Sequence, residues 1–308
     1  MKLASFGCDR RLGVVEVVEG KERIVPLDDL LLDFPLDEVR RDQFLDRGIA
    51  LANGGIAQWL QLTVASRAAF ENAVRDRLNS APAGLDLDTA ILRAPVARPG
   101  KVVGVGRNYA DHARETGVKP FEQPRIIFKM PSSIADPGST MVKPSLVKKL
   151  DFEAELAVVI GDFAKDVSQE EALDYVAGYT ALNDLSAREF QFDINPAQTT
   201  FAKSSDGFCP LGPYLVTCGA FPDPQTVRVT STVNGQRMQD ASTADMLFSV
   251  RQLIAYVSQY MTLEPSDVIA TGTPAGIGAA RNPPQWLRAG DLVEVEVSGV
   301  GRLVTYIG

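Results

Sequence analysis

Glu153 and Glu155 stand two positions apart at the head of an apolar run, Leu156-Ala157-Val158-Val159-Ile160, that meets no glycine or proline before Gly161. Such a run predicts a buried strand. On a strand, residues i and i+2 share a face, so the two carboxylates project side by side. Two close carboxylates repel, and burying them unpaired is costly. A divalent cation with oxygen ligands answers that cost. An edge strand with a solvated acidic face answers it differently.

A second stretch bears on the choice. Tyr179-Thr180-Ala181-Leu182 reads as a short apolar strand that ends in Asn183-Asp184, followed by Leu185-Ser186-Ala187-Arg188. Asp184 at a strand end would complete a three-carboxylate set. Three hard oxygen donors without Cys or His favour Mg²⁺ or Mn²⁺ over Zn²⁺, and Ca²⁺ also fits. Read locally, Asn183-Asp184 is equally a turn or a helix N-cap.

His112 is the chain's single histidine. A His-rich metal site within one chain, and any mechanism needing two of its histidines, are therefore excluded. The segment Arg107 to Glu115 reads as helical after a strand at Lys101 to Gly106. His112 and Glu115, at i and i+3, then share a face. A carboxylate beside an imidazole raises its pKa and fixes its orientation, as a general base requires; the alternative is a surface pair on a short helix. Lys203 is a candidate cation for a substrate carboxylate, or a solvated lysine. Thr271-Gly272-Thr273-Pro274-Ala275-Gly276 lacks the lysine of a phosphate-binding loop, although its backbone N–H groups could receive an oxyanion. Gly104-x-Gly106 lacks the third glycine of a dinucleotide fingerprint.

The elements that must position these residues fit within 308 residues of which 45% are apolar, enough for a sizeable core. The net charge of −8 argues against nucleic acid or an anionic membrane as the main partner. An anionic small substrate would then need a local cationic site. No apolar run is long enough for a membrane-spanning helix, and the first residues lack the apolar core of a signal peptide. Three cysteines without C-x-x-C spacing fit a reducing cytoplasm.

Residues 3–6 and 13–18 predict a hairpin, and the stretches 27–32, 39–45 and 57–78 carry helical spacing. Pro/Gly/Ala-rich connectors at 81–84 and 94–100 suggest a boundary near residue 95, giving a small N-terminal α+β domain (1–95) and a main domain (96–308). In the main domain, 125–129 predicts a strand, 169–177 a short helix and 190–201 a loop able to line a pocket. The segment 208–213 reads as apolar but broken by proline. Residues 227–233 predict a strand turning at Asn234-Gly235, and 246–261 an amphipathic helix. Strands follow at 268–270, 291–297 and 302–307.

Taken in order, Gly106-Arg107-Asn108-Tyr109-Ala110-Asp111-His112, Asp151-Phe152-Glu153-Ala154-Glu155-Leu156, Asn183-Asp184-Leu185-Ser186-Ala187-Arg188, Lys203-Ser204 and Thr271-Gly272-Thr273-Pro274 make the region from about residue 100 onward resemble the fumarylacetoacetate hydrolase family. The resemblance implies an α+β, mostly β fold: a mixed β-roll or barrel-like sandwich, usually a homodimer. It implies Mg²⁺ or Mn²⁺ on Glu153, Glu155 and Asp184, and a catalytic dyad of His112 and Glu115 on a segment that closes over the substrate. It also implies a catalytic role for Lys203 and substrate contacts from Arg107, Tyr109, Arg188 and Thr273. The implied reaction is C–C cleavage of a 2,4-diketo or acylpyruvate-type 2-oxo acid through a metal-stabilised enolate. Oxaloacetate decarboxylation, or isomerisation of a 2-hydroxyhepta-2,4-diene-1,7-dioate type, would use the same site. The stretch 190–200 departs from the acylpyruvase pattern. A low-turnover metal- and oxo-acid-binding protein is the reading from another class, and the intact His112/Glu115 pair argues against it. The expected location is the cytoplasm, with no nucleic-acid or membrane partner.

Overall fold

A computed structural model describes the chain apart from Glu19, Ala81, Pro82, Thr116, Val118, Pro120 and Pro222. Part of the 81–84 connector therefore lies outside the described residues.

The strand Ala154–Ile160 lies within the main sheet. It pairs antiparallel with Val176–Asn183 on one side and with Val268–Ala270 on the other. Beyond Val268–Ala270 come Val102–Gly106, in parallel, and then Arg125–Lys129. Beyond Val176–Asn183 come Cys209–Thr217 and then Lys2–Phe6, Arg11–Val18 and Lys21–Pro26. Residues on both sides of position 95 thus share one sheet. Among the described residues its two ends do not pair with each other, so the sheet is open and not a closed barrel. A second sheet runs Gln236–Ser242, Arg228–Val233, Leu292–Val297, Gly301–Ile307 and Thr140–Met141. Strands predominate over helices and both pairing directions occur, the α+β, mostly β mixture that the family resemblance implies.

The apolar run is buried on both faces, which is why it does not alternate in polarity. Leu156, Val158 and Ile160 enter a core with Leu253, Ile254 and Val257 of the helix Val250–Tyr260 and with Val295 and Leu303 of the second sheet. Ala157 and Val159 face the opposite core, which holds Leu3, Leu12, Trp59, Phe70 and Val74 from the N-terminal segment. Glu153 and Glu155 share the parity of Ala157 and Val159, at the open start of the strand.

The helix Val250–Tyr260 begins in a capping box of Ser249 and Gln252. Of the expected helical stretches in the N-terminal segment, 57–78 divides into Gly55–Gln61 and Val64–Asn79, with Thr63 accepting from Ser66 N as the second helix's N-cap.

Two expectations fail locally. Residues 169–177 form one tight turn, Ala172–Tyr175, and then enter the strand at Val176, because Val176 and Ala177 are buried in the sheet. The proline-containing 208–213 segment opens the strand Cys209–Thr217. Its register against Val176–Asn183 shifts between Tyr179 and Ala181, opposite Pro213, so the missing N–H falls in an irregularity of the ladder. No helix among the described residues is long and apolar enough to cross a membrane.

Candidate functional site

Antiparallel pairing of Ala154 with Asn183 and of Glu155 with Leu182 places the end of one strand beside the start of the other. Asp184 N donates to Glu153 O at 2.8 Å, so Asp184 follows its strand directly into the glutamates. Glu153, Glu155 and Asp184 are buried, and one carboxylate oxygen from each lies within 4.8 Å of the others.

Three cations brace this cluster from distant parts of the chain. Lys203 Nζ donates to Glu153 Oε2 at 2.8 Å, Asp184 Oδ2 at 2.5 Å and Ser186 Oγ at 2.8 Å. Lys129 Nζ donates to Asp184 Oδ1 at 2.6 Å and to the carbonyls of Lys203 (2.5 Å) and Phe208 (3.0 Å). Arg188 joins Glu153 Oε1 (2.6 Å) to Asp151 Oδ2 (2.8 Å). Asp151, fully buried, also accepts from the backbone N–H groups of Gly278 and Ala279.

Their electrostatics divide the carboxylates. Burial alone would raise the Glu153 pKa, but Lys203 and Arg188 outweigh it and hold Glu153 well below the usual range. Burial raises Glu155 well above its ordinary value, and neighbouring Asp184 and Glu153 add to the shift. Among the described residues Glu155 forms no ion pair with a lysine or arginine; Gly272 N donates to its Oε2 at 2.8 Å. Four buried carboxylates, with Asp151, therefore face three buried cations. A divalent cation on hard oxygens this close would supply the charge that lets Glu155 ionise as well.

The cluster opens on a cavity of 320 Å³. Arg107, Arg125, Arg188 and Lys203 all line it, as do His112 and Thr273. Arg107 takes a left-handed backbone at φ 57°, and its guanidinium pKa is lowered by burial and by Arg125. Gln191, Phe192, Ala197 and Thr199 complete one wall, so the 190–201 segment does line the pocket. It carries two short helical turns, Glu189–Phe192 and Thr199–Ala202.

His112 sits on the helix Ala110–Glu115, with Nδ1 at 3.3 Å from Glu115 Oε2. The other Glu115 oxygen accepts from Gly276 N at 2.9 Å, tying the helix to the Thr-Gly-Thr-Pro turn. Gly276 has φ 108°, and a Cβ there would lie 2.2 Å from Met238 O, so only glycine fits. The helix is anchored at its base by Asn108, whose side chain bonds Phe248 N, Phe248 O and Thr271 O. Tyr109 is fully buried, lies outside the 320 Å³ cavity, and its hydroxyl has no hydrogen-bond partner among the described residues.

Glu153, Asp184, Arg188, Lys203, His112, Arg107 and Thr273 thus converge on one cavity, with Glu155 behind them. Sequence reading passed over Lys129, Asp151, Arg125 and Gln191 as site residues. A lysine ending the apolar strand Arg125–Lys129, and an aspartate two positions before Glu153, were the available signals.

The fumarylacetoacetate (FAA) hydrolase C-terminal family model matches residues 101–307. The mitochondrial oxaloacetate tautomerase FAHD2B of Bos taurus is 44% identical over 214 residues, covering 70% of this chain and 68% of its own. The FAHD2A tautomerase of Homo sapiens is likewise 44% identical over 214 residues, covering the same 70% and 68%. Among solved structures, a putative HpcE protein from Mycobacterium smegmatis aligns with a TM-score of 0.80 at 31% identity over 100% of this chain and 99% of that one. A maleylpyruvate hydrolase from Sphingobium sp. SYK-6, in complex with manganese(II) and pyruvate, aligns with a TM-score of 0.76 at 28% identity over 100% of both chains.

Proposed function

The chain belongs to the fumarylacetoacetate hydrolase family, and we propose that it is a divalent-metal-dependent enzyme that carries a small 2-oxo dicarboxylic acid through an enolate. One observation carries the reading: a cluster of three buried carboxylates within 4.8 Å, braced by Arg188 and Lys203, opens on a cavity whose lining also bears the guanidinium groups of Arg107 and Arg125. The carboxylates suit a cation, and the cationic walls suit an anion larger than a single carboxylate.

Glu153, Glu155 and Asp184 would hold Mg²⁺ or Mn²⁺, which when bound supplies a Lewis acid for the charge that develops on a 2-oxo oxygen. Lys203 and Arg188, paired with Glu153, Asp184 and Asp151, hold those carboxylates in place. Arg107 and Arg125 are placed to take the second carboxylate, for which a guanidinium's paired N–H groups are suited. His112, held by Glu115, receives the proton that leaves C3 and passes it to the enolate oxygen, and in the reverse direction takes the enol hydroxyl proton and delivers it to C3. That transfer is the keto–enol interconversion for which the bovine and human relatives are named.

A second reading is hydrolytic C–C cleavage of an acylpyruvate-type acid, with His112 taking a proton from water as it attacks the distal carbonyl. It is favoured by the cavity, whose 320 Å³ leaves room for a longer acid and a water. The same proposal carries a homodimer acting in the cytoplasm on a small anionic substrate.

The test is one preparation with Mg²⁺ or Mn²⁺ against a chelator-treated control. Oxaloacetate enol decay is followed by ultraviolet absorbance and acylpyruvate cleavage by pyruvate release. Metal-dependent acceleration of the first supports the leading reading. Pyruvate release alone supports the second. Neither activity, with metal bound, would return the chain to the binding-protein alternative.

A further inference from the structure

Ala154 separates the two glutamates, and its backbone faces a gap. Leu156, two residues on, accepts from Thr271 N on the side of the Val268–Ala270 strand. Alternation along a strand turns the Ala154 N–H and C=O to that same side. There the neighbouring strand has already ended, and its pairing reaches no nearer than Ala157 with Ala270. Buried backbone groups left so would be costly.

Two side chains replace the missing strand. Gln239 Oε1 accepts from Ala154 N at 2.9 Å, and Thr273 Oγ1 donates to Ala154 O at 3.0 Å. Gln239 Nε2 donates to that Thr273 hydroxyl at 2.7 Å, closing a ring around the Ala154 backbone. The amide is fixed further by Ser231 Oγ donating to Oε1 (2.9 Å) and by Nε2 donating to Pro274 O (2.8 Å). Gln239 is fully buried and does not line the cavity. It comes from the strand Gln236–Ser242, in the other sheet.

We infer that Gln239 is a positioning residue: acting through Ala154 and Thr273, it sets the placement of Glu153 and Glu155 and so the affinity of the site for its divalent ion. The inference rests on the metal-dependent reading above. A substituted amide releases the peptide between the two glutamates, and misplaced outer partners typically cost about 10–100-fold in metal affinity.

The test titrates metal-free full-length protein with Mn²⁺ by electron paramagnetic resonance, well below the melting temperature. Gln239→Met, similar in volume and without hydrogen bonds, should weaken Mn²⁺ binding about 10–100-fold and alter the bound-Mn²⁺ spectrum. Gln239→Glu, which keeps the acceptor for Ala154 N–H but loses both donors, should fall between it and wild type, and decides the matter if Gln239→Met does not fold. Arg228→Ala removes an exposed ion pair to Asp240 on the same hairpin and should leave Mn²⁺ binding unchanged. Wild-type affinity and spectrum in a folded Gln239 variant would overturn the inference while leaving the metal reading intact. An equal loss in Arg228→Ala would reassign the effect to the hairpin as a whole. Wild-type protein that binds no Mn²⁺ would overturn both.

Discussion

Lys129 Nζ lies 2.6 Å from Asp184 Oδ1, although 55 residues separate the two and the lysine side chain has no exposure to solvent. The same ammonium holds the carbonyls of Lys203 and Phe208, so one buried charge fixes both a candidate metal ligand and the backbone of the lysine beside it. Lys129→Met leaves Asp184 with one cation fewer and two buried carbonyls without their donor. Breaking one side of a buried pair costs about 3–5 kcal/mol. The expected outcome is an unfolding free energy lower by about that amount, read as an earlier midpoint in urea titration without added metal.

Glu155 is the cluster's carboxylate without an ion pair to a described lysine or arginine, so its charge is the most dependent on a bound cation. Glu155→Gln keeps the size and an acceptor for Gly272 N–H but removes the charge. Mn²⁺ affinity should fall by more than the roughly 10–100-fold typical of losing an outer partner, and added Mg²⁺ should rescue activity poorly. Calorimetric titration of both proteins with Mn²⁺ checks this, and equal affinities would remove Glu155 from the ligand set.

His112 and Glu115 should behave as a unit. His112→Ala should lower kcat about a hundredfold, the scale of a positioned general base. Glu115→Ala should come close, because Glu115 both faces His112 Nδ1 and secures the helix to Gly276 N. The double variant should lose little more. Mn²⁺ binding should be nearly unchanged in all three. A His112→Ala enzyme working at the wild-type rate would reduce the pair to a structural role.

Asp136 gives the acid side of the stability profile. Burial opposes its ionisation, but the Ala94 N–H and the guanidinium groups of Arg93 and Arg10 prevail and hold its pKa below the ordinary 3.8. A carboxyl with a depressed folded-state pKa contributes stability that is present above its unfolded pKa and lost as pH falls through the folded one. The Asp136 contribution should therefore be complete above about pH 4 and disappear below it. Asp136→Asn should lower stability at neutral pH and flatten the profile below about pH 4. Thermal melts across that range decide the point.

The carboxylates and the histidine were legible because their information is local. Glu153, Glu155 and the apolar run form one stretch of chain, and His112 and Glu115 fall within one turn. Lys129 and Gln239 were not, because a polar residue that ends or alternates along a strand reads as solvated unless the facing element is known. What buries Lys129 is Asp184 and the Phe208 carbonyl; what buries Gln239 is the turn after Ala270. The same limit explains the strand Cys209–Thr217: Pro210 and Pro213 argue against a ladder locally, but Pro213 falls in the irregular register with Val176–Asn183 and Pro210 lies beyond that ladder's last pair, Leu182 with Leu211.

The placement of the carboxylates sets how fast different parts of the site exchange with solvent. Ala157, Val158 and Val159 are paired to a strand on each side. Their amide hydrogens should become accessible only when the whole sheet opens. The helix that carries His112 is six residues long, and its amides should exchange through local fraying. In deuterium, the strand core behind the glutamates would label on the timescale of global unfolding and the imidazole half of the site on that of a single helical turn, so isotope uptake separates what is built rigid from what has to move.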